Sequence, residues 1–210
     1  MRTKTLLLSA AVGAAGLLAA DAQVYSVNSV GYVNKELATA GFHIISNPLA
    51  AADNELNTII PTAPEGSLIY FFSGGSFSAE IPEYFDGVGW FPNLELADGE
   101  GVFIFVPTPT TLTFVGEVRQ GALSTSIPAG FSIRGSQVPQ QATLTDLGVP
   151  GGDGDLVYTF NSAAQTYDGD IPEYFEGVGW FPDITVGVAD GFFVNAAAPR
   201  SWDRNFSVNN

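Results

Sequence analysis

The chain has no cysteine. That excludes disulfide staples, thiol catalysis, cysteine-ligated zinc and covalent haem attachment, so the fold must be held by its core alone. Basic residues are almost as scarce: seven Lys and Arg stand against 22 Asp and Glu, a formal net charge of −15. A chain so acidic repels phosphate backbones and anionic lipid surfaces, which excludes nucleic acid as a partner. There is one histidine, His43, and no G-x-S-x-G, so a histidine-based metal cluster and a serine-hydrolase elbow are both absent. The glycine-rich stretches lack a phosphate-binding lysine and open no helix. No segment shows three turns of helical periodicity.

What is present begins with an export signal. Arg2 and Lys4 precede the apolar run Leu6–Ala20, and Ala20-Asp21-Ala22 supplies the small-x-small cleavage pattern. Residues 1–22 are therefore expected to be a signal peptide, with a mature chain from Gln23. No later run is long and apolar enough to span a membrane as a helix, and without cysteine there is no lipobox. The expected location is outside the cytoplasm: periplasm, cell surface or extracellular space.

The chain then says one sentence twice. IPEYFDGVGWFP at 81–92 returns as IPEYFEGVGWFP at 171–182, identical but for Asp86 and Glu176. The likeness extends further. Ala40–Ile44 matches Ala129–Ile133, Gly66–Tyr70 matches Gly154–Tyr158, and Gly101–Ile104 matches Gly191–Val194, at offsets of 88 to 90 residues. This predicts two tandem repeats of about 89 residues, 23–118 and 119–210. Tyr25–Asn28, Phe114–Glu117 and Phe206–Asn209 also resemble one another. From that likeness we expect a middle strand shared between repeats, with the first and last strands paired to each other.

The local signals are β. Runs rich in Val, Ile, Phe, Tyr and Thr alternate with Gly, Pro, Asn and Asp clusters. Strands are expected at 24–33, 42–46, 67–72, 101–106, 111–118, 131–135, 155–160, 191–196 and 201–208. Helical turns are expected only at Asn54–Ile60 and Thr143–Gly148. The predicted fold is all-β, with sandwich- or barrel-like sheets related by a pseudo-twofold axis. The order Gly-Phe-x-Ile, Ser-Asn-Pro-Leu (46–49), a strand ending in Tyr, Gly-Trp, then Gly-x-Gly-[Val/Phe]-Phe-[Ile/Val] resembles repeat modules of exported bacterial proteins with G-W-x-L-x-S-x-P and G-x-G-[YF]-[WF]-V signatures. The second copy departs from it, with Arg134-Gly135-Ser136 and Ala189-Asp190-Gly191. The resemblance implies export and an all-β module, and brings no reaction with it.

The candidate site is the duplicated motif. Glu83 with Asp86, and Glu173 with Glu176, place paired carboxylates beside Tyr84 and Trp90, and beside Tyr174 and Trp180. Aromatic platforms flanked by carboxylates suit polysaccharide binding, since flat rings stack on sugar faces and carboxylates accept hydroxyl hydrogen bonds. Paired acids also serve glycoside hydrolysis, yet that chemistry needs one asymmetric site and here the set occurs twice. The alternative reading is packing: Gly87, Gly89, Gly177 and Gly179 mark tight loops whose aromatics fold back on a core. Asp153-Gly-Asp155 and Asp168-Gly-Asp170 have the ligand spacing of calcium loops, but neither continues to a distant bidentate Glu, and turn chemistry accounts for both. His43 reads as a packed or surface strand residue rather than a catalytic base. No catalytic residue, metal site or cofactor is expected. The expected function is a non-enzymatic structural or interaction protein of the cell surface or matrix, acting by self-association or adhesion to an envelope partner. The alternative is a carbohydrate-binding module.

Overall fold

The computed structural model describes residues 30–208; the signal segment and the strand expected to start at residue 24 lie largely outside them. The order of elements follows the punctuation of the sequence. It opens with β1 (Val30–Leu37), β2 (Gly41–Ser46), a single helical turn α1 (Leu56–Ile59), β3 (Leu68–Tyr70), β4 (Phe72–Ser73) and β5 (Ser76–Phe77). Then come β6 (Glu83–Phe85), β7 (Gly89–Phe91), β8 (Gly101–Val106) and β9 (Thr110–Glu117). The second half runs β10 (Gly121–Ile127), β11 (Gly130–Gly135), β12 (Ala142–Thr143), β13 (Leu156–Tyr158), β14 (Phe160–Asn161) and β15 (Thr166–Tyr167). It ends with β16 (Glu173–Phe175), β17 (Gly179–Phe181), β18 (Thr185–Val186), β19 (Gly191–Ala196) and β20 (Arg200–Phe206). The fold is all-β. Thr143–Gly148, expected as a helical turn, makes one helix-type bond, the N–H of Leu147 donating to Thr143 O at 2.9 Å, and does not continue into a helix.

Two five-stranded antiparallel sheets dominate, with the orders β2-β8-β3-β6-β7 and β11-β19-β13-β16-β17. Each is faced by a two-stranded ribbon, β1–β9 for the first and β10–β20 for the second. The end strand expected at Tyr25–Asn28 lies outside the described residues, so the ribbons bear only on the middle of the chain and its last strand. The middle of the chain supplies two strands rather than one shared strand, and each pairs with a partner from its own half: Phe114 opposite Val33, Gly121 opposite Phe206. No sheet among the described residues closes into a barrel.

Period-two alternation then decides what each face buries. In the first half Ile45, Ile69, Val102 and Ile104 meet Leu37, Leu112 and Phe114 of the ribbon. In the second, Val157, Phe192 and Val194 meet Ile127 and Trp202. The residues between them on the same strands point the other way. Ile44, Phe103, Ile133 and Phe193 form a third cluster that joins the two sheets, capped by Tyr70, Phe72, Tyr158 and Phe160. Its rings interlock across the junction. Phe72 meets Phe193 edge-on with centroids 5.0 Å apart, and Phe160 meets Phe103 at 5.2 Å. Such aromatic pairs add about 0.5–1.5 kcal/mol each beyond the area they bury.

Where the sheets come closest there is no room for side chains. A Cβ on Gly191 would stand 2.8 Å from the main-chain oxygen of Ile45, and one on Gly101 would stand 2.5 Å from the Ile133 side chain. A Cβ on Gly135 would strike Ser46. The close approach lets backbone bond to backbone across the junction, Ser46 N–H to Ala189 O at 3.0 Å and Gly135 N–H to Gly99 O at 3.2 Å. Lys35 pairs with Asp190 beside them, and the Gln165 side chain bonds both the N–H and the C=O of Phe42.

Gly191→Ala is therefore expected to destabilise the chain by about 1–3 kcal/mol, because a fixed carbonyl cannot yield to the methyl. Gly169, with open space around its Cβ position, is the control: Gly169→Ala should stay within about 0.5 kcal/mol. Urea unfolding of the two variants checks the contrast.

Candidate functional site

Each copy of the duplicated motif is a β-hairpin. Tyr84 of β6 lies directly opposite Trp90 of β7, and Tyr174 of β16 opposite Trp180 of β17. In both pairs the rings meet edge to face with centroids 5.4 Å apart. The turns run through Gly87 (φ 73°) and Gly89 (φ 98°), and through Gly177 (φ 79°) and Gly179 (φ 100°). Non-glycine residues avoid this region, so the spacing of the glycines sets the hairpin. Both hairpins end in a cis Phe–Pro peptide.

The aromatic residues offered by the sequence as stacking platforms face inward. Trp90 is 1% exposed and Trp180 4%. Each indole N–H is satisfied inside, Trp90 Nε1 donating to Ile60 O and Trp180 Nε1 to Val149 O, both at 2.9 Å. Tyr84 is buried and donates its hydroxyl to Pro61 O at 3.4 Å, and Tyr174 is partly buried. The Trp90 amide is clamped by Asn57, whose Oδ1 accepts the Trp90 N–H at 2.6 Å. Trp90, Trp180 and Tyr84 are core residues whose rings are closed to sugar stacking, while Tyr174 keeps part of its ring at the surface. Alternation explains the outcome: once the indole turns in, its neighbour turns out.

The carboxylates are separated from the indoles for the same reason. Glu83 and Glu173 are half-buried on the hairpin strands, whereas Asp86 and Glu176 are exposed in the turns. The main-chain N–H of Asp86 bonds Glu65, and that of Glu176 bonds Asp153 at 3.2 Å. None of the four lines the acidic cavity or the aromatic pockets described below. The hairpins present something else. Val88 and Val178, at the turns, are 72% and 77% exposed, and Phe91 and Phe181 are 69% and 68% exposed. Two identical apolar tips thus project from the molecule.

The calcium-like spacings are put to other use. Burial alone would push the Asp155 carboxyl up, but its bond to Arg200 and the N–H groups of Ala197 and Gly152 outweigh this and hold it below the usual carboxylate value. Asp168 accepts from Thr159 Oγ1 at 2.7 Å. Asp168 and Asp170 line a cavity of about 420 Å³ with Asp190, which is held by Lys35 and the N–H of Gly187. His43 is buried and donates from Nε2 to Thr39 O at 2.9 Å; burial lowers its pKa, keeping it neutral.

A second feature carries no mark in the sequence. Beside the junction lie two pockets of about 380 and 350 Å³. Phe42, Tyr70 and Phe103 wall the first, and Phe131, Tyr158 and Phe193 the second, with Phe77 and Tyr167 common to both. No charged side chain lines either one. Burial pushes the Tyr167 hydroxyl pKa up. Comparisons of the chain with protein-family models, curated proteins and solved structures find no match.

Trp90→Ala and Trp180→Ala should each cost about 3–5 kcal/mol in urea unfolding, while Val88→Ala should stay within about 0.5 kcal/mol. Asp155→Asn should cost about 1–3 kcal/mol at neutral pH, because the buried carboxylate's charge-assisted bonds to Arg200, Ala197 and Gly152 are weakened while Arg200 itself stays partly solvated. The Asp155 pKa is lower folded than unfolded, so its stabilisation is present above the ordinary carboxylate value and is lost as pH falls through the depressed one. Hence the gap between wild type and Asp155→Asn should narrow below about pH 4. A gap constant with pH would contradict this assignment.

Proposed function

We propose that the chain is an exported, non-enzymatic structural or interaction protein, built as a duplicated β module with pseudo-twofold symmetry. Each module is a small sandwich of one five-stranded sheet and one ribbon. The protein acts outside the cytoplasm, at the cell surface or in a matrix, by associating with further copies or adhering to an envelope partner. The observation that carries this reading is the pair of identical hairpin tips, apolar and exposed in both copies. A globular protein gains nothing in folding from projecting Val and Phe at two equivalent turns, and exposed apolar groups rimmed by polar ones mark interaction surfaces. The paired carboxylates do not favour a hydrolytic reading: Glu83 and Glu173 are half-buried on the hairpin strands, whereas Asp86 and Glu176 are exposed in the turns.

The test is the absolute mass of the mature chain, residues 23–210, by size-exclusion chromatography with light scattering. Growth of mass with concentration is the expected result. A strict monomer up to high concentration, with no retention on envelope preparations, would contradict the proposal.

A further inference from the structure

Apart from Tyr32 and Val208, the exposed large apolar side chains among the described residues fall into two groups. One belongs to the motif hairpins: Ile81, Val88 and Phe91 in the first, Ile171, Phe175, Val178 and Phe181 in the second. The other, Phe42, Phe77, Phe131 and Tyr167, forms the rims of the two aromatic pockets. The molecule thus carries two apolar projections and two apolar recesses at different places on its surface. A projection that fits a recess elsewhere on an identical copy makes a head-to-tail contact, and such contacts propagate unless they close into a ring.

Charge and hydrogen bonding narrow the occupant of the recesses. With no charged lining, they offer no counter-charge to a basic peptide or an anionic polymer. Their polar groups are few: the hydroxyls of Tyr70, Tyr158 and Tyr167, and the amide of Gln165, which is already engaged by Phe42 and Ser162. A sugar unit brings more hydroxyls than such a lining can satisfy, and a buried unpaired hydroxyl is costly. An apolar side chain leaves nothing unpaired. The tips are of that kind, and the side chains of tip and recess are uncharged on a chain of formal net charge −15. Contact between two copies is least opposed where neutral surface meets neutral surface.

We infer that the hairpin tips of one copy, Val88 with Phe91 and Val178 with Phe181, seat in the aromatic pockets of a second copy, so that the chain assembles head to tail. This inference rests on the self-association reading above. Asp86 and Glu176 flank the tips and add to the repulsion between copies. Assembly therefore strengthens with salt, as screening shortens to about 10 Å near 0.1 M.

The experiment uses three forms of the mature chain: wild type, a tip variant (Val88→Asp with Val178→Asp) and a pocket variant (Phe77→Ser with Tyr167→Ser). Light scattering gives the mass of each across concentration and salt. Wild type should grow at least about twofold in mass with rising concentration, through open head-to-tail contacts. Either variant alone should remain monomeric, and mixing the two should give a capped heterodimer of about twice the monomer mass, since one keeps intact pockets and the other intact tips. Melting curves check the pocket variant's fold, while the tip substitutions sit at turns too exposed to disturb it. Growth of wild type and tip variant alike would overturn tip-in-pocket docking and leave self-association through another surface. So would loss of growth in both variants with no heterodimer on mixing. A monomeric wild type would remove the self-association reading itself. Retention of wild type, but not the pocket variant, on a neutral polysaccharide with no change in mass would overturn the inference and assign the pockets to a glycan.

Discussion

The rest of the molecule depends on a place where side chains are missing. At the junction of the two large sheets Gly101, Gly135 and Gly191 bring backbone against backbone, and Ser46 and Gly135 donate main-chain hydrogen bonds across the gap. Only this approach sets Phe72 on Phe193 and Phe160 on Phe103. Those rings in turn form the floor and walls of the two aromatic pockets. A methyl at the crossing would push the sheets apart by a fraction of an ångström, and close-packed rings do not absorb such a shift. A cysteine-free chain thus acquires a rigid centre from packing and hydrogen bonding alone.

The two halves use this frame unequally. Asp155 is fully buried and held by Arg200, yet its counterpart Ser67 lies equally buried with no hydrogen-bond partner for its hydroxyl among the described residues. His43 bonds the Thr39 carbonyl, whereas the hydroxyl of its counterpart Ser132 has no partner. Unpaired buried hydroxyls each cost about 1–3 kcal/mol. Within each pair, one copy carries a satisfied polar group and the other a group whose hydrogen bonding is lost, while the tips and the pocket aromatics are closely matched between copies.

Much of the fold was legible in the sequence. The strands β2, β3, β8, β9, β11, β13 and β19 fall on apolar β-branched and aromatic runs, where periodicity speaks clearly. β10 was not legible: Gly121–Ile127 is poor in apolar residues because most of its side chains are exposed. The hairpin strands of the motif were missed because three-residue strands separated by Gly-Val-Gly leave too short a pattern. Within the motif the glycines and their tight loops could be read, and so could the packing alternative for the tryptophans. The direction of each ring could not, since it depends on Ile60 and Val149 accepting the indole protons from distant loops. The exposure of Phe91 and Phe181 follows by alternation once the indoles are placed. The pockets were beyond reach, because Phe77 and Tyr167 come from hairpins that meet only when the two halves are docked.

On this account the glycine crossing and the interlocked rings make the two halves one cooperative body, which holds tips and pockets in fixed relation. Differential scanning calorimetry of the mature chain at low concentration tests this most directly. A single transition is expected, with a calorimetric enthalpy equal to the van't Hoff enthalpy. Two resolved transitions, or a calorimetric enthalpy near twice the van't Hoff value, would show the halves melting independently and contradict it.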